Sequence, residues 1–118
     1  MDRIELEKRL IGFSASIIAL CKDCRFDEYT SHLPKQIIRS GTSVALNYGE
    51  AQSAESRADF THKISLVLKE LRETQVNLNI MSESVFCNDP ARMSQMLKEC
   101  HELIAIFQKS INTLSSHR

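Results

Sequence analysis

The chain has 118 residues, of which 42% are apolar and 25% charged, with three glycines and two prolines. That length suits one domain with one core over residues 1–118, and that balance suits a helical globular chain rather than a disordered one. Fifteen basic and fifteen acidic side chains cancel, which withholds the basic excess of a dedicated non-specific DNA binder, and no run of about 18 apolar residues is present to span a membrane.

The N-terminal stretch MDRIELEKRL alternates charges and has no apolar signal core, so the expected location is cytoplasmic and no membrane is expected as a partner. The first helix is predicted over about Asp2 to Cys24, with Ile4, Leu10, Ile11, Phe13, Ile17, Ile18 and Cys21 at helical spacing. A polar link, KDCRFDEYTSH, follows. Pro34 then sits where a helix tolerates proline best, in its first turn, and the second helix runs from there to about Gln52.

Within that second helix, RSGTSVALNYGEAQ carries Gly41 and Gly49, each weakening a helix by roughly 1 kcal/mol relative to alanine. The spacing is neither a Walker loop nor a dinucleotide fingerprint. Gly41 shares a face with Ile37, Val44 and Tyr48 at roughly 100° per residue, and is read as a point where a neighbouring helix packs closely. The opposite arc, Arg39, Ser43, Asn47 and Glu50, lies within about 80°.

The third helix starts at Ser56, with Asp59 three residues on in a capping-box-like pattern. Phe60, Ile64, Val67, Leu71, Thr74, Leu78 and Met81 step by four and three in turn, and Asp59, Lys63, Glu70, Glu73 and Asn77 form a polar stripe beside them. Two readings of the polar arcs stay open. They are solvated faces with i,i+4 pairs such as Asp59–Lys63. Otherwise they form a network between helices, with Arg39 paired to Glu70 or Glu73 and Asn47 bonded to backbone, which fixes helix register or serves as a partner contact. The second reading expects Arg39 and Asn47 to be at least partly buried.

CNDP ends the third helix, and Asp89-Pro90 supplies the cap and first-turn proline of the fourth. There Met93, Leu97, Cys100, Ile104, Phe107, Ile111 and Leu114 repeat the four-and-three step. No segment alternates as a strand does. The predicted architecture is all-α, an up-down-up-down antiparallel four-helix bundle. Met96, Leu103 and Ile106 on the fourth helix and Leu68 on the third widen the apolar stripes beyond the seam, as an ordinary bundle face or as a subunit interface.

Motifs that carry chemistry are weak. Cys21-x-x-Cys24 has no second pair at zinc spacing, and disulfides are not expected without a secretion signal. Cys21, Cys24 and Cys100 are read as small apolar residues on helix faces. Glu70-x-x-Glu73 and Glu99-x-x-Glu102 echo the Mg²⁺-binding motifs of all-α nucleotide pyrophosphohydrolases. Helical phase turns Glu99 and Glu102 away from their seam, towards water, so that enzyme is only a remote alternative. A di-iron bundle needs Glu-x-x-His on two helices, and Asp59-x-x-His62 is the nearest approach. His32, His62, His101 and His117 are scattered, and no strained elbow surrounds a serine. No catalytic residue, metal site or cofactor is expected. The mildly basic last segment, with Arg92, Lys98, Lys109 and Arg118 against Glu99 and Glu102, permits a local basic patch.

One long stretch, LPKQIIRSGTSVALNYGEAQSAESRADFTHKISLVLKELRET, resembles the four-helix-bundle family named for 23S rRNA intervening-sequence proteins. That family also includes the accessory variability proteins of diversity-generating retroelements. The matching features are Gln36, Arg39-Ser40-Gly41-Thr42-Ser43, Asn47, Glu50-Ala51, Ser56, Asp59-Phe60, Lys63, Lys69-Glu70 and Glu73-Thr74, over more than a third of the chain. The resemblance implies a bacterial cytoplasmic protein that assembles as a ring-like homopentamer and has no catalytic role. It implies RNA or a nucleic-acid enzyme as the partner; in the retroelement branch that enzyme is a reverse transcriptase, bound through a basic surface. The zero net charge departs from that branch, because electrostatic affinity scales with the phosphates neutralised.

Overall fold

Helix α1 spans Arg3–Asp23 and begins where Asp2 adopts extended backbone and its carboxylate accepts the Glu5 N–H, satisfying a donor that the first turn leaves without a partner. In this computed structural model, which describes residues 1–116, three more helices follow: α2 Leu33–Ala51, α3 Arg57–Ser84 and α4 Pro90–Ser116. His117 and Arg118, counted above with the histidines and the basic last segment, lie outside the described residues. Pro34 stands in the first turn of α2. Ser56 Oγ caps α3 by accepting the Asp59 N–H at 3.0 Å, as its capping pattern requires.

Bonds between helices fix their directions. Ser14 of α1 meets Gly41 of α2, while Arg39 and Glu50 of α2 meet Glu70 and Lys63 of α3. Arg72 of α3 meets Gln108 of α4, and Arg9 and Arg92 join α1 to α4 through Glu99 and Ala19. Glu7 beside Gly49, and Arg57 donating to the Leu114 carbonyl, are second points for α1–α2 and α3–α4. In every pair later residues of one helix lie against earlier residues of its neighbour. That is consistent with antiparallel neighbours and with α4 closing the bundle against α1.

The core runs through the middle of all four helices. Leu10, Phe13, Ile17 and Leu20 meet Ile37, Val44, Val67, Leu71, Leu78, Met81, Leu103 and Phe107, all 2% exposed or less. Each such Leu, Ile or Phe contributes roughly 1.5–3 kcal/mol by leaving water. Tyr48 and Phe107 meet edge to face with centroids 5.8 Å apart, a favoured aromatic geometry.

Two expectations are corrected and one open choice narrows. First, Ile4, Ile11 and Ile18 do not join the inward face of α1 but are exposed, because they sit about 100° round the helix from the Leu10–Ile17 line. Second, of the two readings of the extra apolar residues on α3 and α4, burial favours the ordinary bundle face. Met96 and Leu103 are buried, and Leu68 and Ile106 pack half-buried against the core, as the wide stripe of an ordinary bundle does. Third, Cys24 is not on a helix face. It caps α1, and with Arg25 forms β1 (Cys24–Arg25), paired antiparallel with β2 (Phe86–Cys87). Cys24 stands opposite Cys87 in that register and the two form a disulfide. Two residues per strand are too few for any alternation to show in the sequence.

Candidate functional site

Two carboxylate pairs at i,i+3 spacing each meet an arginine from the neighbouring helix. On α3, Glu70 and Glu73 project towards α2, where the Arg39 guanidinium donates to Glu70 Oε2 at 3.3 Å and also to Glu73 Oε2. On α4, Glu99 takes two bonds from Arg9 of α1, at 2.8 Å from Nε and 2.5 Å from Nη2, and Glu102 lies at 3.5 Å. A planar guanidinium matches a carboxylate in this two-pronged way, which fixes geometry as well as charge. The Glu99 hydrogen bond holds the Arg9 guanidinium above its ordinary range, against the lowering effect of partial burial.

Glu99 therefore does not face water as its helical phase suggests; its carboxyl is turned to α1 by Arg9. Arg9 was missed because it sits ninety positions away, although an arginine on the flank of α1 level with an ExxE pair of the adjacent helix is a signal in retrospect. Each ExxE pair thus faces its own arginine, and the two pairs point at different neighbours. Among the described residues, no group of three His, Cys, Asp or Glu converges in a way that could hold a metal ion.

The other residues of the polar arc separate. Ser43 Oγ and Asn47 Nδ2 turn back to donate to carbonyls of their own helix, Arg39 and Ser43, at 2.7 and 2.9 Å. Glu50 receives Lys63 at 2.9 Å, so Lys63 crosses to α2 instead of pairing along α3 with Asp59. That hydrogen bond raises the Lys63 ammonium above its usual range. Asn47 is half-buried, but Arg39 is not: its side chain is 54% exposed, because the guanidinium spans the rim of the α2–α3 groove and not its floor.

Beneath that rim lies a buried polar ladder that the sequence reading missed. Ser14 Oγ donates to the Gly41 carbonyl at 2.7 Å, and Thr74 Oγ1 lies 2.9 Å from Ser40 Oγ and 2.8 Å from the Glu70 carbonyl. Small hydroxyl residues at core-facing positions are the visible signal, since a buried hydroxyl must find a partner. Gly41 sits inside this ladder, and a Cβ there would lie 3.1 Å from two Ile17 carbons. Neither buried thiol is poised to react: burial pushes Cys21 up to about 11 and Cys100 to about 12.

The fold and most of the sequence have known counterparts. A solved structure of a protein of unknown function from the S23 ribosomal protein family of Bacteroides thetaiotaomicron VPI-5482 is 25% identical, with a TM-score of 0.76. The match covers 95% of this chain and 99% of that one. No protein with a curated description matches. The model of the 23S rRNA-intervening sequence protein family matches residues 3–109. The chain belongs to that family.

Proposed function

We propose that this protein is a non-catalytic assembly module, a homo-oligomeric four-helix bundle that associates with RNA in the bacterial cytoplasm. The observation that carries the non-catalytic part is the engagement of both ExxE pairs by arginines, Arg39 on α3 and Arg9 on α4. Carboxylates that serve a hard cation must converge on one point; these serve the seams between helices.

Self-assembly as a ring of five is the form that the family resemblance implies, and it suits the RNA reading. Exposed Lys8, Lys22, Lys35, Lys69, Lys98 and Lys109 are spread among acidic residues, so one neutral subunit binds phosphate weakly. Repeating such side chains around a ring raises avidity without new contacts.

Light scattering on purified protein, with and without 23S rRNA fragments, tests both parts. The expected result is a mass near five chains and a complex whose affinity falls steeply as salt rises. A single-chain mass, or no complex even at low salt, rejects the corresponding part. The cytoplasmic location is read by trapping thiols in intact cells. A reducing compartment opens the Cys24–Cys87 disulfide, so four alkylated cysteines after denaturation support that location, and two, with the link intact, reject it.

A further inference from the structure

The Cys24–Cys87 link lies where α1 ends and the chain turns from α3 to α4. Both cysteines are half-buried, so the bridge borders solvent. Noncovalent bonds hold the same two segments together around it. The Asp23 carbonyl accepts the Asn88 N–H at 3.1 Å, and the Asp23 carboxylate accepts the Asp89 N–H at 3.1 Å and the Asn88 amide at 3.4 Å. Arg25 lies over the Phe86 ring, 5.0 Å from its centroid. Arg92, in the first turn of α4, donates to the Ala19 carbonyl of α1 at 3.3 Å. Opening the disulfide removes none of these contacts, and they keep Cys24 opposite Cys87.

The remaining cysteines stay out of any exchange. Cys21 stands one turn before Cys24, in the C-x-x-C spacing that elsewhere makes a redox pair. Here it is buried, and burial pushes its thiol up to about 11 and that of Cys100 to about 12. A thiolate, not a thiol, attacks a disulfide, so near neutral pH neither competes for the bridge.

We infer that Cys24 and Cys87 form a reversible redox clasp, with Asp23 keeping the open pair in register. The bundle has two folded states, in which the end of α1 is tied to the α3–α4 turn or released from it. To open it, a glutathione thiolate attacks one bridging sulfur and displaces the other as a thiolate. A second glutathione then frees the first sulfur. The pair gains two electrons and two protons, and the two glutathiones leave joined as their disulfide; closing reverses these steps with glutathione disulfide as oxidant. Once open, the end of α1 is held there mainly by polar bonds near solvent, each of which contributes little. Local opening then takes less free energy at that end, while the core in mid-bundle is unchanged. In a cytoplasmic setting such a link is transient, because thiols stay reduced until an oxidant arrives. The exchange chemistry itself is the same in any compartment, so it is tested on purified protein and stands or falls apart from location, RNA and assembly.

The experiment equilibrates the full chain in glutathione buffers of stepped ratio, quenches with acid, alkylates, and maps the cysteines by mass after proteolysis. The clasp is expected to open as reduced glutathione rises and to close again when the disulfide form is added, with equal helix content by circular dichroism in both states. Amide exchange should quicken in β1 and β2 on opening, while the core around Leu71 and Leu103 stays protected. At a fixed buffer ratio Asp23→Ala should lower the ratio of closed to open protein about tenfold, as loss of a hydrogen bond to a charged group does. Asp23→Asn, which keeps an acceptor oxygen, should recover part of that. A bridge that stays shut in excess reduced glutathione is a permanent staple and overturns the proposal. Loss of helix on opening, or reclosure between Cys21 and Cys24, overturns it too. If the pair exchanges but Asp23→Ala leaves the ratio unchanged, the clasp stands and the role given to Asp23 is wrong.

Discussion

At Gly41 the backbone of α2 lies directly against the Ile17 side chain of α1. Alanine there would gain roughly 1 kcal/mol of helix propensity, but its Cβ would meet three atoms of Ile17, the Ile17 Cβ among them at 3.3 Å. Ile17 is fully buried and β-branched, so rotation about χ1 does not clear the contact. Gly41→Ala is therefore expected to destabilise by about 1 kcal/mol net, the overpacking outweighing propensity; a lower urea midpoint at unchanged slope would show it. The buried thiols make a prediction about pH. Folding raises Cys100 from 9.0 to about 12 and Cys21 to about 11. Below pH 9 both are neutral in either state and cost nothing. Above it the unfolded thiols ionise and the folded ones do not, so each lowers stability by about 1.4 kcal/mol per pH unit until its folded value is reached. Cys100→Ala should flatten the fall in stability between pH 9 and 11, measured by denaturant titration at each pH.

Between elements, the arginine clamps hold α1 to α4 and α2 to α3. Arg9 is the better placed, with two bonds to one carboxylate and a side chain 28% exposed, against 54% for Arg39. Exposed ion pairs stabilise little, while two-pronged arginine pairs do better. Arg9→Ala is expected to lower stability by about 1 kcal/mol at low salt and by less in high salt. Arg39→Ala should cost less, unless loss of the arginine strands the buried Glu70 carboxylate; comparison with the Arg39→Ala, Glu70→Gln double variant in a mutant cycle separates the two effects. How much of this was legible varies along the chain. The pairing of Arg39 with Glu70 and Glu73 could be drawn from helical phase, since α2 and α3 adjoin in sequence and share a short turn. The Arg9 clamp could not, because α1 and α4 meet only once the whole bundle has closed.

For the molecule as a whole, the disulfide links the end of α1 to the segment between α3 and α4 across 63 residues. A cross-link of that span restricts the unfolded chain by about 4 kcal/mol in the loop-entropy model. Reduction, or Cys87→Ser, should lower the unfolding free energy by an amount approaching that figure, read from denaturation with and without a dithiol. The helices themselves should persist, because the core lies in the middle of the bundle and the Cys24–Cys87 link at one end.

Local chemistry in the sequence was enough to determine the four helices, the cap at Ser56, and the inward seams of α3 and α4. Periodicity of 3.6 and an N-terminal oxygen act within a few residues, so no distant partner is needed to read them. Only the tertiary structure decided which side of α1 faces the core. An inward line of Leu10, Phe13, Ile17 and Leu20 and an outward line of Ile4, Ile11 and Ile18 are both apolar, and the choice falls to the first because Ser14 and Ile17 meet Gly41 of α2. The same closure sets Cys24 opposite Cys87 and leaves Ile4, Ile11 and Ile18 outside, the consequence of long-range packing that no local pattern encodes.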